Sequence, residues 1–124
     1  MVLRNMLITN AFSLGMIQGS LAQANMEKVS STVTREIILE DGGVQSAIGH
    51  ADFATMVSGI LGMEIPFNRV STRFSVETST RFIVAQYDGP RLPEGATTLP
   101  EGAAVVFWVV CLDVAISHEN RRLN

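Results

Sequence analysis

The chain has few of the residues on which several protein classes depend. It holds one cysteine, Cys111, so no disulfide framework or cysteine-rich metal site can be built within one subunit. Its two histidines, His50 and His118, lie far apart, and the sequence contains no Walker loop, dinucleotide glycine fingerprint, HExxH motif or CxxC pair. These absences predict a protein that uses neither a metal ion nor an organic cofactor.

Positive charge is also scarce. Lys28 is the only lysine among nine basic residues, and the net charge of -3 disfavours the extended basic surface that sequence-blind binding to duplex nucleic acid needs. A phosphate ligand would therefore be met by a few placed arginines, which suit bidentate contacts to phosphate oxygens.

Long apolar runs are missing as well. The most apolar segment, residues 103–112, is far shorter than the roughly 20 residues of a membrane helix. Residues 1–10 show no small-residue cleavage site of a signal peptide. Because composition does not change along the chain, residues 1–124 are expected to form one globular domain. The short apolar run predicts no membrane segment, and the single cysteine fits the reducing cytoplasm.

The most informative stretch runs from Ser46 to Arg69. Apolar residues recur at helical spacing after His50, which predicts a helix from Ala51 to Leu61. Gly62 suits the left-handed residue that follows a helix, and a proline soon after forbids continuation. The free amides and positive dipole end of this helix, beside a histidine, predict an anion site where chemistry on a phosphodiester is feasible.

The rest of the chain predicts an α/β domain with a mixed β-sheet of about five strands flanked by short helices. A first strand should end near Asn10 and Ser13, and Ser13 is at least as well explained as the cap of a short helical turn. We expect residues 18–28 to form a loop, 29–33 a strand, 34–39 a helical turn or two, 70–76 and 81–87 a hairpin, 88–102 a surface loop and 103–114 a central strand. The 88–102 loop contains Leu-Pro-Glu-Gly twice.

Taken singly, the candidate residues have ordinary explanations. A lone histidine at a helix start is more often a cap than a catalyst, and an exposed arginine such as Arg69 or Arg91 usually only solvates a surface. Glu94 could be a plain loop carboxylate. On spacing alone, the sequence predicts a small cytosolic α/β domain with an anion site.

Four separated motifs make the sequence more specific when they are considered together. They are Asn10-Ala11-Phe12-Ser13, Ser46-Ala47-Ile48-Gly49-His50, Leu61-Gly62-Met63-Glu64-Ile65-Pro66-Phe67-Asn68-Arg69 and Arg91-Leu92-Pro93-Glu94-Gly95. In this order and spacing, the chain closely resembles the small viral ring nucleases that act as anti-CRISPR proteins against type III systems, and their cellular relatives. The departures are residues 18–28, the Asp88-Gly89-Pro90 insert and the tail after Val114.

The resemblance implies a homodimer that binds cyclic tetra-adenylate across its twofold axis and cleaves it to linear di-adenylate with 2′,3′-cyclic phosphate ends. It implies a location in the host cytoplasm if a virus encodes the chain. Carried over by residue, it implies catalytic roles for His50 and Glu94. It implies ligand contacts for a further set: Asn10, Ser13, Arg69, Gln86 and Arg91.

The implied reaction agrees with the residues. RNA carries its own nucleophile, the 2′-hydroxyl, so the protein needs to hold that oxygen in line with phosphorus and protonate the departing 5′-oxygen. A histidine suits the second task, and arginines can stabilise charge on the phosphoryl oxygens. The resemblance therefore implies a metal-independent phosphodiesterase.

Two other functions stay open at this point. A non-cleaving sponge that sequesters the cyclic nucleotide would use the same pocket, and only the role of His50 would differ. A small viral DNA-binding protein is disfavoured by the negative charge and by the lack of a recognition-helix motif.

Overall fold

The computed structural model describes residues 6–75 and 80–114. Within these ranges the chain forms, in order, β1 Met6–Thr9, a short 3-10 turn Leu14–Met16, β2 Ile17–Gln18, β3 Ala22–Val29, α1 Ser31–Glu40, β4 Val44–Ala47, α2 Ala51–Leu61, β5 Phe74–Ser75, β6 Thr80–Asp88 and β7 Ala104–Val114.

Five of the strands form one sheet in the order β3-β7-β6-β1-β4. β1 pairs in parallel with β4 and β6, whereas β7 pairs antiparallel with β6 and β3, so the sheet is mixed. β2 and β5 form a separate parallel pair. The predicted class, an α/β domain with a mixed sheet of about five strands and short helices, is confirmed.

Both helices lie on one face of the sheet. Buried residues of α1 and α2, such as Ile38 and Val57, form one apolar cluster with strand residues such as Ile83. Arg35 of α1 donates to the last carbonyls of α2, at 2.8 Å from Leu61 O and 2.7 Å from Gly62 O. These bonds satisfy carbonyls that the end of a helix leaves free, and they hold α2 against α1.

α2 begins and ends where the sequence predicts. His50 is its N-cap with extended backbone, and Gly62 follows its last residue with φ of +66°. Ser58 Oγ accepts from Ile65 N at 2.9 Å, so the chain leaving the helix folds back along it. The N-terminus of α2 follows the carboxyl end of β4 after three residues, 48–50.

Two sequence-based assignments near the start of the chain are wrong. Residues 22–29 form strand β3, where a loop was expected, and residues 31–33 begin α1, where a strand was expected, with Ser30 Oγ capping Val33 N at 3.1 Å. The helical turns expected at 34–39 form the rest of this helix. β3 is an edge strand whose side chains are mostly exposed. Its backbone pairs with β7 along its whole length, so it needs no apolar alternation to form.

The predicted hairpin between residues 70–76 and 81–87 is also wrong. β6 forms as expected, but it pairs with β1 and β7. Within the described part of the first segment, residues 70–75, only Phe74–Ser75 is a strand, and it pairs with β2. Phe74 stacks on Phe82 with ring centroids 4.1 Å apart, and Phe12 packs against both rings. Phe74 is therefore buried by side-chain packing on the second face of the sheet, whereas Val70 of the same alternating pattern is exposed.

The remaining assignments fall partly outside the described ranges. The loop at residues 88–102 and the interior strand after it are confirmed, while His118 and the tail lie beyond residue 114. No helix in residues 6–75 and 80–114 is long and apolar enough to span a membrane.

Candidate functional site

A cavity of about 560 Å³ opens at the carboxyl ends of the parallel strands β1, β4 and β6. This edge of a sheet is where ligands bind in open α/β folds, and the volume lies within the range of small-molecule sites. Four of the seven sequence-predicted site residues line this strand-end cavity: Asn10, His50, Gln86 and Glu94.

Asn10 connects two of the converging strands. It follows β1, and its Oδ1 accepts a hydrogen bond from Gly49 N at 3.3 Å. Gly49 directly precedes His50, so Asn10 holds the backbone on which the histidine is mounted. Its amide Nδ2 is the remaining donor for a ligand in the cavity.

His50 has one ring nitrogen committed to the fold. Its Nδ1 accepts from Phe53 N at 3.3 Å, which caps α2, and the side chain is otherwise exposed. Because Nδ1 uses its lone pair in this bond, the neutral ring carries its proton on Nε2. Nε2 is therefore the nitrogen that can reach a ligand. Asp52, in the first turn of the same helix, also lines the cavity.

Glu94 is placed by the first of two similar turns in the 88–102 loop. Ala96 N donates to Pro93 O at 3.2 Å, and Ala103 N donates to Pro100 O at 3.1 Å. The glycines of the two turns have φ of +80° and +82°, a conformation that glycine adopts without strain. Glu94 thus has a counterpart, Glu101, in an equivalent turn that does not line the cavity.

Arg69 lies beside the cavity without lining it. Asn68, its neighbour, is fixed by two hydrogen bonds, from its N to Ile48 O at 2.9 Å and from its Nδ2 to Ser46 O at 2.8 Å. A Cβ on Gly49 would lie 3.4 Å from Arg69 Cγ, so the arginine packs closely against the residue before His50. The structure thus brings Arg69 against Gly49, one residue before the histidine, as an exposed side chain.

Ser13 and Arg91 are not brought to the cavity wall. Ser13 is exposed and precedes the 3-10 turn, where its carbonyl accepts from Met16 N at 3.0 Å. Arg91 is exposed at the start of the 88–102 loop. The cavity wall formed by the described residues carries two carboxylates, Asp52 and Glu94, and no arginine or lysine.

The sequence did not identify several residues of the wall. Asp52 and Phe53 follow His50 in the first turn of α2, and Tyr87 follows Gln86 near the end of β6. The position of Asp52 two residues after the predicted cap was the only available signal for it. In the described ranges, no cluster of histidine, cysteine, aspartate or glutamate could hold a metal ion.

Comparisons with known proteins agree on one family. A family model described as STIV B116-like matches residues 6–104. Among solved structures, the chain is similar to B116 of Sulfolobus turreted icosahedral virus, with 25% identity and a TM-score of 0.63 over 86% of this chain and 98% of that one. None of the proteins with curated functions matches. The matched segment contains the strand-end cavity and all seven predicted site residues, and the chain therefore belongs to the STIV B116-like family.

Proposed function

We propose that the chain is a metal-independent ring nuclease that cleaves cyclic tetra-adenylate and so counters or switches off type III CRISPR signalling. The observation that carries the proposal is the shared cavity of His50 and Glu94, which come from separate motifs of the resemblance. Asn10 and Gln86 complete the polar part of the same wall. The similarity to a viral protein supports a viral origin.

In the proposed reaction the substrate supplies the nucleophile. The 2′-oxygen forms a bond to phosphorus and passes its proton to water, while the bond from phosphorus to the 5′-oxygen breaks and that oxygen takes a proton from His50. Two such cuts convert the ring to two linear di-adenylates with 2′,3′-cyclic phosphate ends. His50 donates through Nε2 to the leaving oxygen, since its Nδ1 faces the helix cap.

The cap also constrains His50. A protonated imidazole has no lone pair on Nδ1. If His50 acts as an imidazolium, the hydrogen bond from Phe53 N to Nδ1 must therefore break. This hydrogen bond is long, at 3.3 Å, so breaking it costs little folding free energy. A phosphate at the N-terminus of α2 would compensate, because it stabilises the cation and accepts from the freed amide.

A second copy of the chain would complete the ligand site. Three large apolar side chains are exposed next to predicted ligand contacts: Leu14 at 82%, Phe67 at 51% and Val70 at 52%. Leu14 adjoins Ser13 in sequence, and Val70 adjoins Arg69. A homodimer that covers these side chains would bring two sets of arginines to one twofold ligand, which would offset the carboxylates of the cavity wall.

The test is product analysis of the purified protein with labelled cyclic oligoadenylates of different ring size. We expect cyclic tetra-adenylate to yield di-adenylate with a 2′,3′-cyclic phosphate, with or without EDTA. The His50→Asn variant is the matched control, because asparagine preserves the helix cap. Tight binding with no product from the unmodified protein would indicate a sponge and refute the enzymatic proposal.

A further inference from the structure

The insert Asp88-Gly89-Pro90 sits at the neck of the 88–102 loop, where the loop leaves β6. Asp88 pairs with Ala104 in the sheet. A Cβ on Gly89 would come within 2.6 Å of Ala103 Cβ and 3.0 Å of Tyr87 Oη, so the two ends of the loop touch and only glycine fits between them. The neck of the loop is therefore tightly closed.

Tyr87, the only tyrosine of the chain, spans this neck. Its ring is half-buried and packs against the apolar cluster beneath the helices, as does Leu92 of the loop. Its hydroxyl donates a hydrogen bond to Pro90 O, the carbonyl that directly precedes Arg91. The bond joins a rigid strand to the first residues of the loop, across the insert.

The segment that follows this bond forms one side of the strand-end cavity. Residues 92–96 line it, and Glu94 is the titratable group among them. Leu92 packs the start of this segment against the apolar cluster, and the residues beyond it could still shift toward or away from His50. The hydrogen bond to residue 90 restricts backbone rotation at the start of the loop. Because a small rotation there displaces the later residues most, this bond limits how far Glu94 can move.

We propose that the Tyr87 hydroxyl is a positioning group that holds the Arg91–Ala96 segment against the cavity, so that Glu94 faces the ligand. The hydroxyl has no second proton to donate to the ligand, because its proton is committed to Pro90 O. The catalytic consequence rests on the proposed function, whereas the placement of the segment does not.

The first test is limited proteolysis of the ligand-free protein by a glutamate-specific protease. Tyr87→Phe keeps the ring and removes the hydroxyl. Cleavage after Glu94 should become about three- to tenfold faster, which corresponds to the net worth of one hydrogen bond when proteolysis follows the open population. Cleavage after Glu101, in the equivalent turn, should not change. Equal changes at both glutamates, or no change at either, would overturn the proposal.

The second test is a double-mutant cycle on the single-turnover rate with cyclic tetra-adenylate. If Tyr87 acts by placing Glu94, then Tyr87→Phe should lower the rate in the unmodified background and have no further effect in Glu94→Gln. Additive losses would contradict positioning through Glu94, and so would an unchanged rate. If the unmodified protein cuts no ring, the proposed function fails, and the proteolysis result still decides the role of Tyr87.

Discussion

Replacing His50 by alanine should remove two contributions of one side chain, a helix cap and a proton donor. The cap is the hydrogen bond from Phe53 N to Nδ1, and loss of an N-cap costs about 0.5–2 kcal/mol of folding free energy. The distance of 3.3 Å and the exposure of the side chain favour the lower half of that range. For a domain of this size, about 1 kcal/mol lowers Tm by about 3–6 °C.

His50→Asn separates the two contributions. Asparagine is among the best N-caps, so this variant should melt within about 2 °C of the unmodified protein. It has no group that donates a proton to a leaving oxygen, so both variants should lose about 10²–10⁴-fold in single-turnover cleavage of cyclic tetra-adenylate while still binding it. Calorimetry, equilibrium binding and rapid quench measure the three quantities.

The comparison can refute the reasoning in two ways. If His50→Asn keeps cleavage within tenfold of the unmodified rate, His50 is a cap and not a proton donor. If both variants lose cyclic tetra-adenylate binding to the same extent as cleavage, the imidazole holds the ring and its role in the chemical step is unsupported.

Three further predictions concern the loop and the exposed apolar side chains. Glu94→Gln should slow the single-turnover step while leaving affinity unchanged or slightly better, and Glu101→Gln, in the equivalent turn, should do neither; equal effects would remove Glu94 from the chemistry. Arg91→Ala should weaken ring binding by about 1.5–3 kcal/mol in titration if it makes a charge-assisted bond to phosphate, and an unchanged Kd would show that Arg91 does not contact the ligand. If the chain forms the proposed homodimer, Val70→Asp should shift it from dimer to monomer in sedimentation, and a dimer that persists would show that this side chain lies outside the interface.

The parts of the fold that the sequence predicted are those where several local signals agree. For α2, the apolar spacing, His50 and Gly62 all indicate the same limits, and the structure has them. β3 was missed because its side chains face solvent and its strand geometry comes from backbone pairing with β7, which is distant in sequence. The hairpin was mispredicted because the burial of Phe74 depends on Phe12 and Phe82 and not on pairing with β6.

Less of the candidate site than of the fold could be predicted from local sequence patterns. Local patterns indicated only a histidine at a helix start, and the family resemblance supplied the remaining positions. Asp52 and Tyr87 could not be found in this way, because a cavity wall is assembled from β1, α2, β6 and the 88–102 loop, and no local pattern records which residues meet there. The insert before Arg91 was visible as a departure from the family, while its hydrogen bond to Tyr87 was not.

The central claim is that the protein cuts a ring of RNA by using the 2′-hydroxyl of its own substrate. The most direct measurement compares cyclic tetra-adenylate with its 2′-deoxy analogue in single-turnover reactions containing EDTA, with products identified by mass. The account predicts di-adenylate with a 2′,3′-cyclic phosphate from the first ring and binding without cleavage of the second. Cleavage of the deoxy ring, or products that end in a 5′-phosphate and a 3′-hydroxyl, would contradict it.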